Sequence, residues 1–421
     1  MTGSHSEQEK LHEKKLRIIS LMLCLLVCMV PLISCVEKGG DDLKTSEQES
    51  ESGQTPTTDP GQEPPDQPTP TEEKTYLFTD SIDQIKLLGR SYLTDGAATC
   101  DFTASGFEMN VNAVGKLMMT VDASAQTYFS VFVDGVRKTK RISVPEGENV
   151  EVELISFAEP GEHHIRVLKQ TEAEHSLCLL KSLTFQGTLL EKPADRELLI
   201  EYIGDSIFCG LGNYRCPNGT PDAGSAKYQD GTIAYPLLTA DALNADCSVI
   251  GFSGMGVKVG SVDYNAADVY EKQSYLRDPD AAYGFARTPN LVVINLGTND
   301  ALFRDRTTKE EFKTAVKDLI TMVRKLNGRN MPIVWAYNAL NDGCLDWIRE
   351  AIGEMGGESN WLFLCGLNQN ADGGNNHPSE NGHQTSCEKL TAFIREKGLL
   401  ELTGEIPPRP SEGDDLPILW V

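Results

Sequence analysis

Two residues in separate parts of the sequence carry side chains that ester hydrolysis can use. Ser206 ends the sequence Gly-Asp-Ser, directly after an apolar run at 198–203 that predicts a buried strand. A serine hydroxyl exposed in a turn after such a strand can act as a nucleophile, although Asp and Ser also commonly cap helices. His377 can accept a proton and return it, because the pKa of histidine lies near neutrality. Only seven His occur in the chain, and His377 and His383 lie in one short segment.

Two further segments offer hydrogen-bond donors for a developing oxyanion. An apolar run at 247–252 leads into a glycine-rich segment, where the backbone N–H of Gly254 can approach a ligand closely because glycine has no side chain. The glycine spacing there does not fit the dinucleotide-binding pattern G-x-G-x-x-G. Another run, at 291–296, is followed by Gly-Thr-Asn-Asp. The side-chain amide of Asn299 in this sequence is a neutral donor of the kind that stabilises negative charge on oxygen.

These residues can meet only if the strands before them lie side by side. A helix after the third strand is predicted to begin at a capping box of Thr308 and Glu311 and to end at Gly328, and a final helix is predicted at 380–397. Strand–helix alternation indicates a parallel sheet covered on both faces, with ligands bound at the carboxyl ends of its strands. The predicted strands lie at 198–203, 247–252, 291–296, 333–337 and 361–364.

The N-terminal part of the chain has a different pattern. Short apolar runs separated by turn signals predict an antiparallel β-sandwich of about 110 residues. Asp-Gly pairs at 95–96 and 134–135 are typical of tight hairpins. His163 and His164 are interpreted as strand residues rather than metal ligands. The predicted strands lie at 116–121, 128–133, 150–155, 164–168 and 177–185.

Taken in order, the Gly-Asp-Ser, Gly, Gly-x-Asn-Asp and His segments resemble the SGNH hydrolase superfamily. The segments 86–90, 131–135 and 293–300 are further similar to carbohydrate esterase family 2, whose members are acetyl xylan esterase-like enzymes. The resemblance implies an α/β fold in which an N-terminal β-sandwich, a jelly roll, precedes a flavodoxin-like three-layer α/β/α SGNH hydrolase domain. It implies neither a metal nor an organic cofactor.

The resemblance also implies a role for each residue. Ser206 would be the nucleophile that forms an acetyl-enzyme, and His377 would be the general base and then the acid. The oxyanion hole would consist of the backbone N–H groups of Ser206 and Gly254 and the side-chain amide of Asn299. His383 matches a second histidine that is structural rather than catalytic.

One position departs from the superfamily pattern. The Asp that usually stands three residues before the catalytic His is replaced by Gly374. Asp372 lies five residues before His377 and could complete a triad only if the loop bends. We favour a Ser–His dyad in which a backbone carbonyl orients the histidine.

The predicted substrate is an acetylated plant cell-wall polysaccharide or oligosaccharide, with xylan or glucomannan as the glycan. One alternative is a lipid, thioester or peptidoglycan O-acetyl hydrolase of the same superfamily. Another is a non-catalytic, carbohydrate-binding surface lipoprotein. The net charge of -24 argues against nucleic acid as a partner, because binding phosphates requires clustered Lys and Arg. A monomer is expected.

The N-terminal residues predict a signal that directs the protein to the cell envelope. An uncharged, largely apolar run at 18–34 follows a basic patch and is shorter than a transmembrane span of about 20 residues. It ends Leu-Ile-Ser-Cys, which resembles a bacterial lipobox and implies lipidation of Cys35, whereas an ordinary signal peptide or a membrane anchor is the alternative. The protein would then contact a membrane only through this N-terminal lipid, in a periplasmic or surface-exposed position.

These observations predict five segments along the chain. A lipoprotein signal peptide at 1–34 precedes Cys35 and a disordered tether rich in Pro, Glu and Thr at 35–74, which carries 8 of the 24 net negative charges. The β-sandwich at 75–190, the hydrolase domain at 195–400 and a C-terminal tail at 401–421 follow. A disulfide between Cys209 and Cys216 is a further possibility, but buried free thiols are expected for most cysteines.

Overall fold

The computed structural model describes residues 72–214, 224–327 and 331–400. The predicted signal peptide, Cys35, nearly all of the tether, Cys216 and the tail at 401–421 lie outside these residues. Within the described ranges, no helix combines the length and the apolar character needed to cross a membrane.

The N-terminal domain, called the β domain here, consists of nine antiparallel strands wrapped around one apolar core. The strand order is β3-β4-β9-β5-β8-β6-β7, with β1 paired to β9 and β2 paired to β5. The predicted sandwich is confirmed as an antiparallel sheet domain, with its strands hydrogen-bonded along one continuous path. The strands are β1 Glu73–Leu77, β2 Ile85–Leu88, β3 Leu93–Thr94, β4 Ala97–Thr99, β5 Gly106–Ala123, β6 Thr127–Val133, β7 Val136–Val144, β8 Gly147–Lys169 and β9 Cys178–Leu189.

Strand β8 differs from the prediction. Residues 150–155 and 164–168 were expected to form two strands, because Pro160 and Gly161 between them are typical turn residues. They belong instead to one strand that pairs with β5 along its length. The register shifts between Ala113 and Gly115, so a bulge accommodates the proline in the strand. Both predicted Asp-Gly hairpins are confirmed, between β3 and β4 and between β6 and β7.

The second domain, called the catalytic domain here, contains a five-stranded parallel sheet in the order β11-β10-β14-β15-β16. This is the flavodoxin-like order, as predicted. Its strands are β10 Leu198–Gly204, β11 Ala245–Gly251, β14 Leu291–Asn295, β15 Ile333–Tyr337 and β16 Leu362–Gly366. A separate antiparallel pair consists of β12 Lys272–Ser274 and β13 Asp278–Ala282. The helices are α1 Tyr235–Ala242, α2 Ala266–Tyr270, α3 Thr298–Leu302, α4 Lys309–Asn327, α5 Leu345–Glu354 and α6 Glu380–Glu396.

Helices cover both faces of the parallel sheet. One apolar cluster joins the sheet to α2, α4 and α5, and a second joins it to α1 and α6. Helix α4 begins at the predicted capping box, in which Glu311 Oε2 accepts the Thr308 N–H at 2.8 Å. The expected end at Gly328 lies outside the described residues.

The two domains share a buried, charged interface. Lys86 Nζ of the β domain lies 2.8 Å from Asp246 Oδ1 of the catalytic domain. Arg90 similarly pairs with Glu201, at 3.2 Å, and both side chains are almost fully buried. Breaking a buried ion pair by removing one partner is strongly destabilising. These pairs therefore fix the β domain against the sheet that carries the candidate site.

Candidate active site

Ser206 lies in the turn that follows β10, the strand between β11 and β14 in the parallel sheet. The carboxylate of Asp205 accepts the Ile207 N–H at 3.0 Å, and the Ser206 carbonyl accepts the Leu211 N–H at 3.1 Å. Gly204 is required here, because a Cβ atom would lie 2.3 Å from the ring of Phe208. The Ser206 side chain is 6% exposed. The turn thus directs the hydroxyl toward the loop that carries His377.

His377 is brought into direct contact with Ser206. The distance from Ser206 Oγ to His377 Nε2 is 2.7 Å, and His377 Nδ1 lies 2.8 Å from the carbonyl oxygen of Asn375. A carbonyl can only accept, so Nδ1 carries the proton and the lone pair of Nε2 faces the hydroxyl. This tautomer is the one that a general base requires. Asn375 adopts a positive φ of 52°, and in this conformation its carbonyl oxygen faces Nδ1 of the ring.

Asp372 interacts with the start of the next helix. Its Oδ1 accepts the Ser379 N–H at 3.4 Å, while Asn375 supplies the acceptor for His377 Nδ1. Gly374 occupies the position where the superfamily usually has an aspartate. The arrangement around His377 is the geometry that a Ser–His dyad requires.

A close backbone contact holds the histidine loop against the turn after Ser206. The Gly374 N–H donates to the Gly212 carbonyl at 2.6 Å, and Gly212 has a φ of 72°. A Cβ atom on Gly212 would lie 2.0 Å from the Gly374 carbonyl oxygen, so the backbone itself would have to shift.

Gly212→Ala should therefore displace the His377 loop. We expect kcat to fall about 10-fold or more, and the free energy of unfolding to fall by about 1–3 kcal/mol because of backbone strain and the clash. Steady-state kinetics and thermal unfolding would measure both effects. Gly366→Ala is the matched control, because a Cβ there meets nothing within 4 Å; equal kcat values for the two variants would contradict the prediction.

Gly254 belongs to a segment that we call the glycine loop, residues 253–260. It has a φ of 81°, and its carbonyl accepts the Ser261 N–H at 3.0 Å. The carboxylate of Asp300 accepts the N–H groups of three consecutive residues of this loop, at 2.8–2.9 Å. These residues are Val257, Lys258 and Val259. Asp300 therefore fixes the far end of the glycine loop.

Asn299 lies between the glycine loop and the serine turn. Its Nδ2 donates to the Met255 carbonyl at 2.9 Å and lies 3.4 Å from Asp205 Oδ2. The side chain is 8% exposed. The structure thus places Asn299, the predicted oxyanion donor, at the same edge of the sheet as Ser206. Its amide, however, already points at two protein acceptors. To donate to an oxyanion, Asn299 must share or exchange one of these contacts.

Burial controls the titration of the groups near Ser206. It raises the pKa of Asp205 to about 7. Burial also lowers the pKa of His377, against the opposing effects of the Asn375 carbonyl and the charge of Glu172. His383 is fully buried, accepts the Tyr235 N–H at 3.3 Å and has its pKa lowered to about 3 by burial. His383 is therefore neutral near pH 7 and packs under the site.

One residue near the site was missed by the sequence analysis. Glu172 of the β domain reaches the glycine loop and accepts hydrogen bonds from Ser253. Its carboxylate also accepts from the Cys209 thiol, at 3.5 Å. Cys209 is a free, buried thiol, so it does not form the disulfide with Cys216 that the sequence left open. Within the described ranges, no group of three or more His, Cys, Asp or Glu side chains is arranged to hold a metal ion.

Comparison with known proteins identifies the family. Residues 87–193 match the family described as carbohydrate esterase 2 N-terminal, and residues 202–385 match the GDSL-like lipase/acylhydrolase family. The chain belongs to carbohydrate esterase family 2. The matched segments cover the β domain and the catalytic domain in the predicted order, and the membership confirms the expected class, a carboxylic ester hydrolase.

Individual relatives cover the same two domains. The cellulase/esterase CelE of Acetivibrio thermocellus is 31% identical over 325 residues, which are 71% of this chain and 37% of that longer protein. The chain thus spans just over a third of the length of that relative. An acetylxylan esterase/glucomannan deacetylase of Cellvibrio japonicus is 25% identical over 342 residues, covering 76% of this chain and 91% of the relative.

Solved structures of family members have the same fold. A family two carbohydrate esterase from Clostridium thermocellum in complex with cellohexaose is 28% identical, with a TM-score of 0.68, and covers 75% of this chain and 100% of that one. Est2A, an acetyl xylan esterase from the rumen bacterium Butyrivibrio proteoclasticus, has a TM-score of 0.70 at 22% identity and covers 78% and 100%. At 22% identity, the likeness to Est2A shows the fold alone.

Proposed function

We propose that Ser206 and His377 remove O-acetyl groups from a plant cell-wall polysaccharide, xylan or glucomannan. The observation that carries this proposal is the 2.7 Å contact between Ser206 Oγ and His377 Nε2 at the edge of the parallel sheet. The Cellvibrio relative is named as an acetylxylan esterase/glucomannan deacetylase, which supports the choice of substrate.

In the first half of the reaction, Ser206 Oγ attacks the acetyl carbonyl carbon while His377 Nε2 takes the hydroxyl proton. The tetrahedral intermediate collapses as the bond between the acetyl carbon and the sugar oxygen breaks. His377 returns the proton to this sugar oxygen, so the glycan leaves as an alcohol. Ser206 then carries the acetyl group as an ester.

In the second half, His377 takes a proton from water as the water oxygen attacks the acetyl carbon. Breaking the bond to Ser206 Oγ releases acetate and restores the serine, with the proton returned by His377. The N–H groups of Ser206 and Gly254 and the Asn299 amide would stabilise the oxyanion in both halves. The Asn375 carbonyl keeps the proton of His377 on Nδ1 before each transfer.

Acetate release from acetylated xylan and acetylated glucomannan by wild type and Ser206→Ala tests the proposal. We expect release by wild type only. Activity on a synthetic acetyl ester but on neither glycan would favour the lipid, thioester or peptidoglycan alternative. No release from any ester, with retained glycan binding, would instead favour the non-catalytic binding protein.

The pH dependence of the reaction should report the titration of the half-buried His377. Only the neutral imidazole can act as a base, and burial lowers the pKa of His377 from 6.5. A lowered pKa keeps the base neutral to lower pH, so the acidic limb of kcat/KM should have its midpoint below pH 6.5. A pH profile of kcat/KM measures this, and an acidic limb centred at pH 7 or above would contradict the prediction.

Asp372→Ala should leave most of the activity, because the Asn375 carbonyl already accepts from His377 Nδ1. We expect a change in kcat of less than about 10-fold, since orientation of the histidine does not depend on this carboxylate. Steady-state kinetics on an acetylated glycan would measure it. A thousandfold drop would favour the Ser–His–Asp triad.

We also propose that the chain is a lipoprotein of the bacterial cell envelope, anchored through Cys35. The basic patch, the apolar run and the tether of the sequence support this location. Cys35→Ser should move the expressed protein from the membrane fraction to the soluble fraction. An unchanged membrane fraction would contradict lipid anchoring at this residue.

A further inference from the structure

One acidic residue of the β domain lies against the glycine loop of the catalytic domain. Glu172 belongs to the loop 170–177 between β8 and β9 and is 1% exposed. Its neighbour Ala173 is part of the same apolar cluster as Phe252, which precedes the glycine loop, and Met255, which belongs to it. This part of the β domain is therefore built into the wall of the candidate active site.

Both oxygens of the Glu172 carboxylate accept hydrogen bonds from the catalytic domain. Oε2 accepts the backbone N–H of Ser253 at 2.5 Å and the thiol of Cys209 at 3.5 Å. Oε1 accepts the Ser253 hydroxyl at 2.5 Å and the side-chain amide of Gln229 at 2.7 Å. His175 Nε2 also lies 3.8 Å from Oε1. One carboxylate thus holds Ser253 at two atoms.

The backbone of Glu172 is fixed as firmly as its side chain. Its N–H donates to Oε1 of Gln229 at 2.8 Å, and its carbonyl accepts from Lys169 Nζ at 3.1 Å. Gln229 and Lys169 are both fully buried. The carboxylate therefore cannot follow a movement of the glycine loop without breaking contacts with Lys169 of the β domain and Gln229 of the catalytic domain.

The glycine loop is consequently held by a carboxylate at each end. Asp300 accepts three N–H groups at residues 257–259, and Glu172 accepts two donors of Ser253. The N–H of Gly254 belongs to the peptide unit that Ser253 begins. Fixing Ser253 on one side and the 257–259 segment on the other fixes the direction in which this N–H points.

We propose that Glu172 is a positioning residue for the oxyanion hole. It holds the Ser253–Gly254 peptide in the orientation in which the Gly254 N–H donates to the tetrahedral intermediate. The inference rests on the proposed function, in which the Gly254 N–H is one of the donors. Under this proposal the β domain contributes a residue that positions the oxyanion hole of the catalytic domain. Because hydrogen bonds weaken steeply with distance and angle, a loosened donor loses most of its effect.

The expected signature is a loss in kcat with little change in KM, because the oxyanion forms only after the substrate has bound. Losing one oxyanion donor lowers kcat by about 10²–10³-fold, so Glu172→Ala should lower it by about 100-fold. Glu172→Gln should lower kcat by about 10-fold, because an amide has one acceptor oxygen where the carboxylate has two.

The test compares wild type, Glu172→Ala, Glu172→Gln and Ser206→Ala as the full chain. It measures kcat and KM on an acetylated glycan and the rate at which an organophosphate reacts with Ser206. The organophosphate oxygen occupies the oxyanion position, so its reaction should slow by a factor similar to that in kcat. Thermal unfolding of each variant shows whether it is folded.

Asp101→Asn is the matched control. Asp101 is also a buried carboxylate of the β domain that contacts the catalytic domain, where it accepts from Ser274 at 2.6 Å and from Arg277 at 2.6 and 2.8 Å. None of these partners belongs to the glycine loop. Asp101→Asn should lower the thermal midpoint, because it weakens the ion pair with Arg277. Its kcat should stay within about twofold of wild type, because the partners of Asp101 lie outside the glycine loop.

The outcomes separate this inference from the proposed function. A fall in kcat and in the organophosphate rate for Glu172→Gln, with KM within threefold, supports the inference even if Glu172→Ala does not fold. Wild-type kcat in folded Glu172→Gln overturns it, as does an equal loss of kcat in Asp101→Asn. Full activity of Ser206→Ala would instead overturn the proposed function itself.

Discussion

Replacing His377 by Ala should lower kcat by about 10⁴–10⁶-fold, since the residues of a nucleophile–base pair act as a unit. Without the imidazole, nothing takes the proton from Ser206 Oγ, which lies 2.7 Å from Nε2 in the wild type. The Ser206→Ala variant should show a similar loss. The double variant should be little worse than either single variant, because each one already disables the same step.

The measurement is the initial rate of acetate release from an acetylated glycan by wild type, the two single variants and the double variant. His383→Asn is the matched control, because His383 is a second histidine of the same segment that accepts from Tyr235 rather than from Ser206. The control should lose stability because the ring is fully buried, but its kcat should remain far above that of His377→Ala. Strictly multiplicative losses in the double variant would contradict a shared catalytic step.

The position of Ser206 is predictable from local sequence. The largely apolar segment 198–203 gives β10, and Gly204 ends the strand where a side chain would meet Phe208. The positions of Gly254 and Asn299 follow in the same way, because each comes directly after a strand of the parallel sheet. The flavodoxin-like order of the strands then brings the three segments to one edge.

The sequence favours a backbone carbonyl as the acceptor for His377 Nδ1, but it does not identify which carbonyl. The identity of this carbonyl depends on the conformation of Asn375 and not on a side-chain type. Asn tolerates positive φ better than most residues, and both Asn375 and Asn376 adopt it. The Asn-Asn pair before His377 was the one local signal for such a turn.

Glu172 was missed for a different reason. It lies 81 residues before Ser253 in the sequence, in a segment with several charged residues and no motif. Its role depends on the way the two domains pack, which periodicity within either domain does not indicate. The β-sandwich was therefore interpreted as a separate unit without catalytic residues, whereas its loop 170–177 borders the site.

Lys169→Met should be among the most destabilising substitutions in the folded part of the chain. Lys169 is fully buried, and its three N–H donors go to the carbonyls of Asp101, Thr171 and Glu172, at 2.8, 2.8 and 3.1 Å. Methionine preserves the volume but leaves three buried acceptors without this donor. At about 1 kcal/mol for each, the free energy of unfolding should fall by about 3 kcal/mol.

Thermal unfolding should show a midpoint lower by about 5 °C or more. Because two of the three carbonyls belong to the loop that carries Glu172, kcat should also fall at temperatures where the variant is folded. Lys192→Met is the matched control, since Lys192 is exposed and donates to a single carbonyl, that of Ile82, at 3.0 Å. It should change the free energy of unfolding by less than about 0.5 kcal/mol. Equal midpoints for the two variants would show that the ammonium group of Lys169 does not hold this loop in place.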